Sequence, residues 1–125
     1  MRRSDFARAY REGSRARGAI LLVVAVANDV GPTRLGLSVG RSVWRKATLR
    51  NRVRRVFREA FRLSQAELPR GFDLVLIPAR PSLQPELDAT RRELVRLARK
   101  AAARYREKRA DAHDETPLVD AGGER

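Results

Sequence analysis

Residues 50–62 read Arg-Asn-Arg-Val-Arg-Arg-Val-Phe-Arg-Glu-Ala-Phe-Arg. On a helical wheel of about 100° per residue, this stretch and its flanks divide into two faces. Leu49, Val53, Val56, Phe57, Ala60 and Leu63 gather on the side a core would take. Arg50, Arg54, Arg55, Arg58 and Arg62, with Asn51 and Glu59, fill most of the other, and Arg52 falls at the boundary. Guanidinium groups crowded on one helix face repel one another. Such a face makes sense opposite a dense negative charge, and the expected partner is RNA.

The rest of the composition agrees. Over 125 residues, 28 Lys and Arg against 15 Asp and Glu give a formal net charge of +13, which points to a polyanion. Arginine far outnumbers lysine, favouring bidentate phosphate contacts and stacking over point-charge attraction. The length suits one domain with a modest core. With no cysteine, disulfides and thiolate metal sites are excluded. The longest apolar run, residues 19–27, is far short of the roughly 20 residues that span a bilayer. The N-terminus lacks a signal-peptide core, so a cytoplasmic location is expected.

Working outward from the basic helix, Leu68-Pro69-Arg70-Gly71 ends it near Glu67. Upstream, Ser4-Asp5 is placed to cap a first helix that runs to about Glu12, with Phe6, Ala9 and Tyr10 on one face. Residues 19–27 predict a buried strand and residues 34–39 a second, joined by the turn cluster Asn28 to Pro32 as an antiparallel hairpin. In the second strand, Gly36 and Ser38 leave a shallow face that a backbone or nucleotide can approach. The connector at 40–49 carries Trp44, suited either to stacking on a base or, preferably, to anchoring the connector. Downstream, residues 73–78 predict another buried strand. A last helix starts near Pro85, with Glu86 and Asp88 at its positive end and an apolar stripe at Leu87, Leu94, Leu97, Ala98 and Ala101. Its outer face (Arg91, Arg92, Arg96, Arg99, Lys100) reads as solvated. Residues 1–106 thus form one α+β domain of helices on a small sheet, and residues 107–125 an acidic tail without regular structure.

Catalytic groups are sparse. The single histidine, His113, falls in the tail, and the carboxylates of the folded part are scattered singly. No Gly-rich phosphate loop is present. Glu59 is the one carboxylate beside the arginines. It suits an ion pair with Arg55 more than a hydrated Mg²⁺ near RNA phosphates.

The decamer Arg50-Asn51-Arg52-Val53-Arg54-Arg55-Val56-Phe57-Arg58-Glu59 closely resembles the RNR motif of the bacterial ribonuclease P protein component. Arg34-Leu35-Gly36-Leu37-Ser38-Val39 before it, Phe72 to Ile77 after it, and the Phe6, Tyr10, Gly13 pattern agree, so the resemblance spans residues 4–104. It implies a two-layer sandwich of order α-β-β-β-α-β-α, with a short extra strand near residues 14–17 and a left-handed crossover like that of certain ribosomal proteins. It also implies that a catalytic RNA removes the 5′ leader of precursor tRNA and holds Mg²⁺ largely itself. Arg50, Asn51, Arg52, Arg54, Arg55 and Arg58 would then meet that RNA. Phe6, Tyr10, Arg34, Ser38 and Arg41 would meet the leader, and the free protein would be a monomer. Two positions depart from the pattern: Ser42 follows Arg41 where a second lysine is common, and Arg54 replaces a lysine. A ribosomal-type structural RNA-binding protein is the other reading that composition and element order allow.

Overall fold

Two seven-residue strands, Leu21–Ala27 (β2) and Phe72–Pro78 (β4), are apolar almost throughout and form the middle of a four-stranded sheet of order β1-β2-β4-β3. The chain is described from a computed structural model, which covers the backbone of residues 1–40 and 45–118 and side chains as far as Asp111. The edges are the four-residue strands Ser14–Arg17 (β1) and Arg34–Leu37 (β3). Short, arginine-bearing edges discourage further strand pairing. Three α-helices complete the fold: Arg3–Glu12 (α1), Ala47–Ser64 (α2) and Leu87–Leu118 (α3). A short 3₁₀ turn at Gln65–Glu67 extends the basic helix to the boundary expected for it.

The expected hairpin between the second and third strands does not form. β4 lies between them, antiparallel to β2 (Val24 opposite Val75) and parallel to β3 (Gly36 opposite Val75). The physical reason is burial. A strand with apolar residues on both faces wants neighbours on both edges, and β3, interrupted by Gly36, serves better as an edge. The turn stretches to let the chain step over one strand. The Asn28 side chain accepts from the Val30 and Gly31 amides and donates to Pro32 O. The extra strand expected near residues 14–17 is β1, paired antiparallel with β2.

Alternation along these strands sends Leu21, Val23, Ala25, Phe72, Leu74 and Leu76 toward α2 and α3, where they meet Phe57, Leu94, Leu97 and Ala101 in the core. The buried stripe of α2 is Val53, Phe57, Ala60, Phe61 and Ser64. It is therefore rotated from the predicted one: Leu63 is 38% exposed and Phe61 takes its place. Positions i, i+4, i+7, i+8 and i+11 give that stripe.

Helix ends also differ from the sequence reading. α1 begins at Arg3, ahead of Ser4, and Asp5 in its first turn accepts a hydrogen bond from the Arg2 amide (2.8 Å). α3 begins at Leu87, capped by Glu86, whose carboxylate accepts from the Asp88 and Ala89 amides. Those amides hold the Glu86 carboxyl below its ordinary pKa. The helix then continues to Leu118, through the segment from Glu107 expected to lack regular structure. Residues 119–125 lie outside the described residues.

A buried carboxylate pins the last helix to the first hairpin. Glu93 of α3 accepts hydrogen bonds from the Ala19, Ile20 and Leu21 amides at 3.1, 2.7 and 2.7 Å. The approach is close enough that a Cβ on Gly18 would lie 2.5 Å from the Glu93 carboxyl carbon. Hydrogen bonds to a charged acceptor are among the stronger ones, and the amides have no substitute acceptor once it is removed. Glu93→Ala should therefore lower unfolding free energy by about 2–3 kcal/mol in chemical denaturation, whereas a loss under about 0.5 kcal/mol would show water replacing the carboxylate.

Candidate nucleic-acid interface

α2 turns one face into the core and the other outward. Asn51, Arg52, Arg55, Arg58 and Arg62 are exposed on it. Asn51, Arg55, Arg58, Glu59 and Arg62 line one shallow depression of about 410 Å³. Glu59 pairs with Arg62, at 3.0 and 2.5 Å, and not with Arg55 as expected. That bidentate hydrogen bond and its charge lower the Glu59 carboxyl pKa and raise that of the Arg62 guanidinium. Arg55 and Arg58 stay outside that pair.

Not every arginine of the motif points outward. Arg54 is half-buried and donates to Val39 O at 2.7 Å and to Asn51 Oδ1 at 3.2 Å, tying α2 to the chain that leaves β3. Arg50, also half-buried, donates to Arg45 O at 2.9 Å near the start of α2. Arg52 borders a groove of about 310 Å³ formed with Leu49, Val53 and the 83–86 loop.

The opposite sheet face is partly covered by α1. Phe6 is half-buried and packs over β3, where a Cβ on Gly36 would lie 3.0 Å from the Phe6 ring and 2.6 Å from Met1 Sδ. The bare strand predicted to be shallow thus accepts an aromatic ring. One turn further on, Tyr10 is 38% exposed. Beyond α1 the face stays open. Arg17 lies opposite Leu22, and Leu22 opposite Ile77, the last two half-buried. Ser38 continues the ladder, its N–H donating to Leu76 O. Arg41 and Trp44 lie outside the described residues.

Arg34 has an internal partner that sequence reasoning missed. Its Nε and Nη2 donate to the two oxygens of Asp73, both at 2.7 Å, and its Nη2 lies 3.5 Å from Asp5. Asn28 Nδ2 donates to the same Asp73 carboxylate at 2.9 Å. Burial alone would push the Asp73 carboxyl up. The hydrogen bonds from Arg34 and Asn28, with the charges of Arg34 and Arg8, outweigh it and hold the carboxyl below its ordinary value. A single aspartate opening an apolar strand was the available signal: it has to be paired if it is buried. Among the described residues, no three His, Cys, Asp or Glu side chains gather as a metal-binding group. No described helix is long and apolar enough to cross a membrane.

A family model for Ribonuclease P matches residues 1–102. The ribonuclease P protein component of Oleidesulfovibrio alaskensis is 41% identical over 103 residues, covering 78% of this chain and 81% of that protein. That of Thermotoga petrophila is 38% identical over 86 residues, covering 69% and 72%. The solved structure of the RNase P protein from Thermotoga maritima superposes with a TM-score of 0.71 at 33% identity, covering 80% of this chain and 94% of that one. The Staphylococcus aureus RNase P protein, at 24% identity and a TM-score of 0.67, shares the fold.

The Asp73 cluster predicts an acid-sensitive fold. A carboxyl with a depressed folded pKa adds stability above its unfolded value, about 3.9, and that stability is lost as pH falls through the folded value. In urea titrations from pH 7 to pH 2, Asp73→Asn should start less stable than the wild type and lose less on acidification. Parallel pH profiles would assign the acid limb to other carboxylates.

Proposed function

The chain belongs to the bacterial ribonuclease P protein family, and on that premise we propose that its two outward faces serve two different RNAs. As a family member it is the protein component of a ribonucleoprotein endoribonuclease of tRNA processing, with an RNA partner. In the proposed division, the exposed face of α2 binds the catalytic RNA. The open sheet face beside α1 holds the single-stranded 5′ leader of precursor tRNA while the leader is cut away. The observation that carries this reading is the one-sidedness of α2. Val53, Phe57, Ala60 and Phe61 are buried, whereas Arg52, Arg55 and Arg58 lie exposed on the other side with Asn51.

The physical roles follow from chemistry and position. Arg55 and Arg58 present planar donor forks suited to phosphate oxygens. Arg54 and Arg50 act from the flank, since each spends donors on a backbone carbonyl. On the sheet face, Tyr10 offers a ring for an unpaired base, Leu22 and Ile77 an apolar floor, and Arg17 and Ser38 polar flanks. Arg41 is assigned to the same leader path. Phe6 sets the floor height by packing over Gly36, and Arg34 fixes the strand beneath through Asp73.

The reaction itself belongs to the RNA in this proposal. Mg²⁺ would be held mainly by the RNA and would supply charge stabilisation there. Glu59 is a poor ligand for it, because both carboxylate oxygens already accept from Arg62. The free protein acts as a cytoplasmic monomer.

Reconstitution tests the reading. Added to the catalytic RNA at low Mg²⁺, the protein should restore leader removal from precursor tRNA, and no restoration sinks the proposal. Arg55→Ala with Arg58→Ala should make the log–log salt dependence of binding to the catalytic RNA shallower by about 0.7–0.9 for each phosphate no longer neutralised. Tyr10→Ala should weaken the holoenzyme's grip on precursor tRNA more than on mature tRNA. Equal losses would assign Tyr10 to the fold.

A further inference from the structure

The far half of α3 builds a feature that neither proposed RNA face uses. Tyr105 and Phe72 are buried, 5% and 4% exposed, and meet edge to face with ring centroids 5.8 Å apart. Over them lie two arginines, with Arg106 Cζ 5.1 Å from the Phe72 centroid and Arg109 Cζ 5.7 Å from that of Tyr105. Together with Arg70, Gly71 and Ala27 they line a hollow of about 440 Å³ at the end of the sheet where β2 stops and β4 begins. Such a volume falls in the usual range for small-ligand sites. Three cations border it, and no carboxylate lines it. Among the described residues, none makes an ion pair with Arg70, Arg106 or Arg109.

Stacking explains why these arginines differ from a solvated face. A guanidinium lying over a ring buries its flat side but keeps its in-plane N–H fork available. Two such forks, held by buried rings, are oriented before any ligand arrives. That lowers the ordering cost that loose surface arginines carry. The family match ends at residue 102, so Tyr105, Arg106 and Arg109 lie beyond it.

We propose that Arg70, Arg106 and Arg109 form a third RNA contact that grips phosphodiester groups at the end of the sheet, apart from the α2 face and the leader face. The inference rests on the reading that the chain works on RNA. The shared chemistry is an RNA phosphodiester, and its source is either the catalytic RNA or precursor tRNA.

The test uses the full chain with all three arginines changed to glutamine, and a second variant, Arg106→Lys with Arg109→Lys. Thermal melting checks both folds, and the wild-type holoenzyme's cleavage of precursor tRNA is measured alongside. Binding is followed against salt for the catalytic RNA alone, and for precursor and mature tRNA with the holoenzyme. In one of these arms, the glutamine variant should have a log–log slope shallower by about 2.1–2.7, since each of three phosphates left without its arginine removes about 0.7–0.9. The arm affected identifies the source. The lysine variant should keep the slope, since charge sets it, while binding more weakly for want of the planar fork. Unchanged slopes in every arm, with wild-type cleavage intact, overturn this site and leave the proposed function standing. A slope equally flattened by lysine also overturns it. Failure of the wild-type cleavage would strike the functional reading itself.

Discussion

β4 is the strand on which the architecture depends. Six of its seven residues are buried, and both edges are paired, to β2 on one side and β3 on the other. Its burial on both faces demands helices above and below. The α2–α3 layer covers Leu74 and Leu76, while α1 lies on the other side near Asp73. The one charge this strand carries, Asp73, is compensated by Arg34 and Asn28, and the nearby Asp5 brings α1 to the same point. An uncompensated buried carboxylate is expensive. The cluster therefore fixes where the edge strand, the turn after β2 and the first helix meet.

A protein this rich in arginine has to keep its positive charges from working against the fold, and besides ion pairs such as Arg34–Asp73 and Arg62–Glu59 it gives them two occupations. One group turns guanidinium groups onto backbone carbonyls: Arg8 onto Ala27, Arg17 onto Ala79, Arg54 onto Val39, Arg99 onto Glu67 and Arg104 onto Arg15. Arg91 does the same for Leu63 near the end of α2, where helix carbonyls lack partners and a positive charge is favoured. These side chains act as fasteners between elements. The other group, including Arg55 and Arg58, stays outward and raises the local positive potential.

That division marks the limit of what the sequence could disclose. The helix at 47–64 was legible because one amphipathic period runs through it, and β2 and β4 because they are long apolar runs. The family was legible in the spelling of residues 50–59. Strand order was not, since a turn-rich link of six residues suits a hairpin and a step over one strand equally well. Nor could spacing tell Arg54 from Arg55, because adjacent positions on a wheel differ by only about 100°. Whether a carbonyl waits within reach is decided by the tertiary fold. Glu93 escaped notice for a related reason. It reads as an ordinary surface glutamate until the β1–β2 turn arrives with three amides to satisfy.

The order of the strands also has a consequence in time. β2 is complete at residue 27, yet its neighbour β4 begins only at residue 72, and its Glu93 clamp comes later still. At ordinary synthesis rates the gap between the two strands lasts on the order of several seconds, during which a bare valine-rich edge faces solvent. Ten arginines are made in that interval. Their mutual repulsion keeps nascent chains apart until the central strand arrives to close the sheet.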